Sequence, residues 1–329
     1  MAITNFPLRA SLPAFAVLSG CAGRQSALSP GGQDAAQIVT LFSVMLGGAV
    51  LLWCAVNFLF FFVTRMRAGK MPLRYANRLI VFGGILVPTL LIGALLSWGL
   101  SIMPDQRSAG DGLTLRVRAE EWWWRVEYWP EGAEAPIIAA NEIRFPAGER
   151  TALRLDANRY IHSFWIPSLG GKMDMFPGRE TFLSLAPDLP GTYRGQCAEF
   201  CGPSHALMAF EAVVMPPEEF DAWLAAAAQD AMPPATPAAQ RGKGLFLSEG
   251  CGACHAIRGT EATGDVGPDL THLGSRHSLA AGIMEVSQPD LRDWIAHTRD
   301  IKPEVAMPAY DWLDDDALSD LAAYLEGLK

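Results

Sequence analysis

The chain has 329 residues, of which half are hydrophobic and 19% charged, and its formal net charge is −9. This length suits two or three domains of ~150 residues, and the composition excludes a disordered chain, a collagen-like repeat and a simple disulfide scaffold. The acidic balance argues against a nucleic-acid partner, because nucleic-acid binders present basic surfaces. The charge is segregated, with +6 on residues 1–104, −8 on residues 105–237 and −7 on residues 238–329.

Residues 1–20 have the pattern of a secretory signal peptide. The apolar run at 12–18 is too short to cross a bilayer, which needs ~20 residues. It leads into Leu18-Ser19-Gly20-Cys21, which resembles a bacterial lipoprotein cleavage box. We therefore expect a lipoprotein-type signal and a lipidated Cys21 at the mature N-terminus. The alternative is an ordinary signal, with Cys21 a plain thiol.

Residues 38–104 predict a two-helix transmembrane hairpin. The runs at 38–63 and 79–103 are long enough to span a membrane and contain no Asp, Glu, Lys, Arg or His. The loop at 64–78 is basic and lacks acids, so the positive-inside rule places it in the cytoplasm. Both termini then lie on the periplasmic side of a bacterial inner membrane. Pro88 is expected to kink the second helix.

Residues 105–228 predict an all-β domain followed by a short helix at 218–228. Eight short β-prone runs separated by turn residues indicate an antiparallel sandwich or barrel. These runs are residues 113–117, 122–128, 137–143, 151–155, 161–166, 181–185, 191–195 and 210–214.

A set of soft metal ligands lies at the end of this domain. Cys197, Cys201, His205 and Met208 fall within twelve residues, and His162 lies at one end of an upstream β-prone run. Thiolate, imidazole and thioether donors favour copper over magnesium or calcium. A structural disulfide is the alternative in an oxidising compartment, but it does not explain the His and Met at these offsets.

This segment resembles the dinuclear copper (CuA) domain of cytochrome c oxidase subunit II, a cupredoxin with a Greek-key β-sandwich. The similarity extends to His162-Ser163-Phe164, Pro167-Ser168-Leu169-Gly170, Pro177-Gly178-Arg179 and Gly195-Gln196.

The resemblance implies that the two cysteine thiolates bridge both coppers and that Glu199 contributes its backbone carbonyl. The remaining side-chain ligands would be His162, His205 and Met208. The carboxylate of Glu199 would also bind a magnesium ion shared with subunit I. Because protein ligands fill such a site, it would relay electrons and have no catalytic residue of its own.

Three consecutive tryptophans occur at 122–124. Alternation along a strand would place Trp122 and Trp124 on one face and Trp123 on the other. Core and interface packing is one explanation, since aromatic side chains bury much area. The resemblance implies an aromatic cluster that conducts electrons to the copper, in which Trp122 matches the first acceptor.

A Pro- and Ala-rich linker at 229–239 precedes a domain at 240–329. Cys251-Gly252-Ala253-Cys254-His255 is the C-x-x-C-H signature of covalent haem c attachment, with His255 as an axial iron ligand. A zinc site or a redox cysteine pair is the alternative. A zinc site would need a second ligand pair and a redox pair a βαβ unit, and neither pattern is present.

The same domain resembles a class I cytochrome c, an all-α fold. Met307, followed by Pro308, resembles the axial methionine loop; Met284, His272, His277 and His297 are the competing ligands. The resemblance also implies that Pro268 packs on the axial histidine. It further implies that Tyr324, on a C-terminal helix at 314–328, meets the first helix of the domain.

The whole chain thus resembles subunit II of a caa-type cytochrome c oxidase. The resemblance implies an electron-transfer subunit that passes electrons from an external donor through haem c to the copper pair and on to haem in subunit I, where oxygen is reduced to water. Expected partners are subunits I and III and a donor, either a basic cytochrome c or a quinol–cytochrome c reductase. The second span lacks the Glu that serves proton uptake in many family members. Two alternatives remain, a subunit of a CuA-containing nitric oxide reductase and a free-standing membrane-anchored redox carrier.

Overall fold

The computed structural model describes residues 22–66, 71–103, 105–108, 113–130 and 132–329. The predicted signal peptide and Cys21 lie outside the described residues, as do positions 67–70 of the predicted cytoplasmic loop. In chain order, the described parts form two long apolar helices, a β-sandwich and a helical domain. The predicted fold class is confirmed.

The two apolar helices are long and apolar enough to cross a membrane, at Gln33–Met66 and Leu73–Arg107. Their segments are α1 (Gln33–Phe61) with a π-helical end (Phe62–Met66), then α2 (Leu73–Arg78), a π-helical segment (Leu79–Leu86) and α3 (Val87–Ile102). Pro88 lies in the first turn of α3, directly after the π-helical segment. Because proline lacks an amide hydrogen and its ring clashes with the preceding turn, regular α-helical bonding is interrupted where the sequence predicts the kink.

The start of α1 is fastened to the β-sandwich. Asp34 is fully buried, pairs with Arg150 at 3.0 Å between Oδ1 and Nη2, and accepts a hydrogen bond from the backbone of Ala186 at 3.0 Å. The backbone of Gly31 also donates to the carbonyl of Ser168. These contacts set the direction in which the first span leaves the sandwich.

The sandwich contains two five-stranded sheets, in the orders β3-β2-β1-β5-β8 and β4-β10-β9-β6-β7. The strands are β1 (Thr114–Ala119), β2 (Trp124–Tyr128), β3 (Ile137–Ala140), β4 (Glu142–Pro146), β5 (Thr151–Ala157), β6 (His162–Trp165), β7 (Met173–Met175), β8 (Thr181–Leu185), β9 (Gly191–Cys197) and β10 (Ala209–Met215).

The strand pattern corrects the sequence prediction in three places. The run predicted at 137–143 is two strands, because Asn141 adopts a left-handed φ of 60° and passes the chain from one sheet to the other. The short strand β7 was not predicted. An entirely antiparallel arrangement is wrong, since β1 pairs with β5 and β4 with β10 in parallel.

Four further helices complete the chain: α4 (Pro217–Ala227), α5 (Pro237–Ser248), α6 (Gln288–Ile301) and α7 (Asp315–Glu326). α5 crosses α7 closely at Gly242, where a Cβ atom would overlap the carbonyl oxygen of Asp320. Nearby, the rings of Phe246 and Tyr324 lie 5.8 Å apart, so the predicted contact between Tyr324 and the first helix is confirmed. These packed helices form the scaffold of the domain that carries the C-x-x-C-H motif.

The helix α5 begins inside the predicted linker. Its first turn is capped by Thr236, whose hydroxyl accepts a hydrogen bond from the backbone of Ala239 at 3.1 Å. The preceding connection also packs on the helical domain, because the backbone of Ala231 donates to the carbonyl of Arg258. The extended connection between α4 and α5 is therefore shorter than the predicted linker at 229–239.

Candidate metal centre and haem cavity

Sheet register brings the distant His162 to the cysteine loop. β6 and β9 are antiparallel neighbours with Phe164 opposite Cys197, so His162 at the start of β6 lies beside the end of β9. Behind it, the rings of Trp124, Phe164 and Phe210 pack edge-on or stacked at centroid distances of 4.9–5.8 Å. This rigid aromatic core holds the two strands that carry the donors.

All the predicted copper donors converge on the two cysteine sulfurs. The Sγ atoms of Cys197 and Cys201 are 3.7 Å apart, and both cysteines are free thiols. This separation is far beyond a disulfide bond of ~2.05 Å, so the disulfide alternative is not what the structure shows. The Nδ1 atom of His162 lies 3.7 Å from Cys197 Sγ, and that of His205 lies 3.5 Å from Cys201 Sγ.

Two weaker donors complete this group. The Sδ atom of Met208 lies 4.0 Å from Cys201 Sγ, and the backbone carbonyl of Glu199 lies 3.1 Å from Cys197 Sγ. The side chains of Met208 and both cysteines are less than 5% exposed. Two cysteine sulfurs, two imidazoles, a thioether and a carbonyl form a donor set that fits copper, with both cysteines, His162 and Met208 buried and His205 half-buried.

The two thiols titrate as a pair. The hydrogen bond with Cys201 lowers the pKa of Cys197 well below the usual thiol range, while the same contact and burial raise the pKa of Cys201. A thiolate therefore forms readily beside a thiol, and the thiolate is the form in which cysteine binds metals.

A second site is a cavity of about 270 Å³ that is lined mainly by the helical domain and on one side by the sandwich. Its walls carry Cys251, Cys254, His255, Pro268 and Met307 together, and all five were predicted to hold or pack against haem. The rest of the wall is largely apolar, and its members include Phe246, Leu273, Leu291, Ile295 and Leu325. The residues fit a flat apolar cofactor attached through the two thiols.

The ring of His255 is oriented by the backbone around it. Nδ1 lies 2.7 Å from the carbonyl of Pro268, so an N–H at Nδ1 donates to this carbonyl and leaves Nε2 free to bind a metal. Burial lowers the pKa of His255, which favours the neutral, metal-binding form. Gly267 leaves room for the ring, because a Cβ there would come within 2.5 Å of His255 Cε1.

The competing ligands lie elsewhere in the described structure. Met284, His272, His277 and His297 are absent from the cavity wall. His277 instead contacts Glu142 of the sandwich, and His272 lies 3.1 Å from the carbonyl of Gln229. Arg276 does line the cavity, and sequence reasoning missed it because an isolated arginine forms no local motif.

The three tryptophans occupy different places. Trp122 lines the haem cavity, and its indole Nε1–H donates to the carbonyl of Cys201 at 2.8 Å. Trp123 also lines the cavity, with the guanidinium of Arg125 over its ring. Trp124 does not line it and is instead fully buried in the sandwich core. Trp122 and Trp124 are both buried in the same hydrophobic core cluster, whereas Trp123 is partly exposed, as the predicted alternation of faces requires.

The two domains are joined by polar contacts near both sites. Lys302 reaches across to Trp122 and Leu207, and the hydroxyl of Ser204 donates to the carbonyl of Pro303 at 2.6 Å. The guanidinium of Arg194 donates to the carbonyl of Gly282 at 2.8 Å. No sequence motif marks these residues, because each contact joins positions far apart in the chain.

Comparisons with known proteins agree with this arrangement. A family model described as cytochrome c oxidase subunit II, periplasmic domain, matches residues 130–215, and a cytochrome c model matches residues 239–329. Cytochrome c oxidase subunit 2 of Alkalihalophilus pseudofirmus is 35% identical over 69% of this chain and 64% of its own length. That of Bacillus sp. strain PS3 is 33% identical over 74% of this chain and 69% of its own length.

The crystal structure of the periplasmic domain of subunit II of cytochrome oxidase from Bradyrhizobium japonicum is also similar. It is 26% identical, covers 37% of this chain and 96% of its own, and has a TM-score of 0.34. From the sequence relatives and the two family models, the chain belongs to the cytochrome c oxidase subunit II family and carries a C-terminal cytochrome c domain.

Proposed function

We propose that this chain is the electron-accepting subunit of a terminal respiratory oxidase, one that reduces oxygen to water in a partner subunit I. Electrons from an external donor would arrive at the cytochrome domain and leave through the copper domain. The observation that carries this proposal is the position of Trp122, which lines the haem cavity and hydrogen-bonds the carbonyl of the candidate copper ligand Cys201.

The copper domain would hold two coppers with the residues that converge in the structure. The thiolates of Cys197 and Cys201 would hold them together with Nδ1 of His162, Nδ1 of His205, Sδ of Met208 and the carbonyl of Glu199. The cytochrome domain would hold haem c through Cys251 and Cys254, with His255 and Met307 as axial ligands and Pro268 against the histidine. When bound, each group accepts and releases one electron without opening a substrate position.

The side of the copper domain near Glu199 supports a contact with subunit I. Glu199 is exposed, and the neighbouring Phe200 is 77% exposed although it is a large apolar residue. An exposed carboxylate beside an apolar ring suits a subunit interface with a shared magnesium ion. We propose this interface for subunit I, with subunit III as a further member of the complex.

The proposed topology places both soluble domains outside the cytoplasm. The signal at 1–20 would be removed, Cys21 lipidated, and the hairpin at 38–104 inserted in the inner membrane with its basic loop inward. The domain limits would be 105–228 for the copper domain, 229–239 for the linker and 240–329 for the cytochrome. The −7 charge of the last segment favours a basic cytochrome c as donor, or the basic face of a quinol–cytochrome c reductase.

The function is tested by purifying the chain from its native membrane. Co-purification with a haem–copper subunit I, together with oxygen consumption driven by a reduced cytochrome c, is expected. Nitric oxide consumption without oxygen consumption would instead identify the nitric oxide reductase alternative. Purification with no partner subunit would identify the free redox carrier.

Substitution Gly267→Ala is expected to disturb the haem site. The added Cβ would come within 2.5 Å of the ring of His255, so the ring would have to move away from the carbonyl of Pro268. Overpacking of this kind costs about 1–3 kcal/mol of stability. Covalent haem content or the haem spectrum should change while copper content does not. Gly244→Ala is the matched control, because nothing lies within 4 Å of a Cβ there. Equal haem properties in the two variants would contradict this account of His255.

An ion pair between the domains should make their docking pH-dependent. His277 contacts Glu142 through Nδ1 at 3.1 Å and through its backbone N–H at 2.8 Å. Burial would raise the pKa of Glu142, but the bonds from His277 and the charge of Arg144 outweigh burial and lower it to about 2. The hydrogen bond to Glu142 raises the pKa of His277.

The raised pKa of His277 and the lowered pKa of Glu142 determine how the docking depends on pH. The raised histidine pKa gives stability that is complete below its unfolded value of ~6.5 and is lost as pH rises through the folded value. The lowered carboxyl pKa gives stability that is present above ~4.3 and is lost as pH falls towards 2. Hydrogen exchange at the His277 amide should therefore accelerate above neutral pH beyond its intrinsic trend. The His277→Gln variant should lose this extra acceleration of exchange. The control His297→Gln, at an exposed histidine, should keep it. Extra acceleration that survives in His277→Gln would rule out the ion pair as its cause.

A further inference from the structure

A buried lysine joins the two domains at the point where the two candidate sites approach each other. Lys302, the residue directly after α6, is 2% exposed. Its Nζ donates to the carbonyl of Trp122 at 2.8 Å, of Leu207 at 2.9 Å and of Ala280 at 3.0 Å. An ammonium has three N–H donors, so all of them are used.

Each of these carbonyls belongs to a segment that forms one of the sites. Trp122 and Ala280 line the haem cavity, one from each domain. Leu207 directly precedes the candidate copper ligand Met208. A single ammonium therefore connects the relay tryptophan, the copper loop and the cavity wall.

The segment that follows Lys302 is held by the sandwich as well. The carbonyl of Pro303 accepts a hydrogen bond from Ser204, next to the candidate ligand His205. Val305 is 8% exposed and belongs to the hydrophobic core of the sandwich, two residues before the candidate axial ligand Met307. The chain from 302 to 307 thus runs along the copper domain before it reaches the haem cavity.

The environment of Lys302 is costly for a charged group. Within the part of the chain that the structure describes, Lys302 forms no ion pair, and burial lowers its pKa to about 7. Burying an ammonium without a carboxylate partner costs stability. A gain in stability therefore does not explain why a lysine occupies this position.

We propose that Lys302 is a positioning residue that holds the haem cavity against Trp122, so that electrons pass from the cytochrome domain to the copper domain across a fixed gap. This inference rests on the proposed function. The transfer moves one electron, with haem iron going from ferrous to ferric as the copper pair is reduced by one electron. No bond forms or breaks, and no proton is needed. What Lys302 supplies is the geometry of this gap.

The test uses the purified oxidase complex with Lys302→Met, which keeps the length of the side chain and removes its three donors. Lys329→Met, at an exposed C-terminal lysine, is the matched control. Haem and copper spectra first establish that both centres are loaded. The rate of haem oxidation by copper, after rapid photochemical reduction of the haem, should fall by about tenfold or more in Lys302→Met and not in Lys329→Met, because small displacements of reacting groups cost rates of this order.

A second readout does not depend on electron transfer. Pulsed dipolar electron paramagnetic resonance between ferric haem and oxidised copper should give one narrow distance distribution in the unsubstituted complex and a broad one in Lys302→Met. A lysine that only adds stability would leave both rate and distance unchanged in loaded protein, and that result overturns the proposal. If the Lys302→Met complex does not bind haem and copper, the same distance measurement is made on Lys302→Gln. A broad distance distribution in the unsubstituted complex also overturns the proposal. Absence of any haem-to-copper transfer in the unsubstituted complex would instead contradict the proposed function.

Discussion

The Cys201→Ser variant is expected to lose the copper centre while its haem stays covalently bound. Cys201 Sγ lies 3.7 Å from the sulfur of Cys197, 3.5 Å from Nδ1 of His205 and 4.0 Å from Sδ of Met208, so it is in contact with three of the other donors. A serine oxygen is a harder ligand and does not bridge copper as a thiolate does. Copper affinity should fall by more than the ~10–100-fold that loss of an outer-shell partner costs.

The measurement is copper content together with electron paramagnetic resonance. The unsubstituted chain should show one electron shared by two coppers, and Cys201→Ser should not. Cys54→Ser is the control, since Cys54 lies exposed within α1 and far along the chain from the donor loop. A single-copper signal in the unsubstituted chain would refute the dinuclear site, and a shared-electron signal that survives in Cys201→Ser would refute the ligand assignment.

The copper ligands were predictable because most of them are local in sequence. Cys197 ends β9, and Cys201, His205 and Met208 lie on the loop between β9 and β10, so side-chain type and spacing alone indicate soft-metal chemistry. His162 is distant in sequence, and what brings it to this loop is the pairing of β6 with β9, which no local spacing shows. The C-x-x-C-H motif was equally local and led to a cavity that contains all five expected residues.

What sequence reasoning missed is long-range. The parallel pairing of β1 with β5 and the division of the 137–143 run at Asn141 follow from how the two sheets close, and no short window of sequence contains this information. The contacts of Lys302 join positions 95 and 180 residues apart. An isolated lysine in an acidic domain is normally a solvated surface residue, so its burial is visible only after the domains are packed.

The same packing changes how the tryptophans are understood. The family resemblance implied an aromatic cluster that conducts electrons to the copper, and in the structure Trp124 packs in the core beside His162, with ring centroids 6.5 Å apart. Trp122 is 3% exposed, and it meets the cytochrome domain through its backbone carbonyl at Lys302 and at the wall of the haem cavity. This arrangement supports electron input through the cytochrome domain, with Trp122 in contact with both sites.

Met307→Ala is expected to alter the haem without affecting the copper. Met307 lines the haem cavity, whereas Met284 does not and instead packs against the hydrophobic core of the cytochrome domain. Loss of a thioether ligand should shift the haem spectrum and lower the potential by on the order of 0.1 V, a fraction of the ~0.8 V that axial ligation spans. The copper signal should persist, because Met307 is not among the residues that contact the two cysteine sulfurs.

Met284→Ala serves as the control for this prediction, since it removes a methionine of the same domain from outside the cavity wall. Visible spectra and redox titrations of both variants provide the comparison. An unchanged haem in Met307→Ala would exclude Met307 as the axial ligand, and a shifted haem in Met284→Ala alone would assign that role to Met284. Because Val305 anchors the same loop in the sandwich core, a shift confined to Met307→Ala would also show that the haem ligand is carried on a segment held by the copper domain.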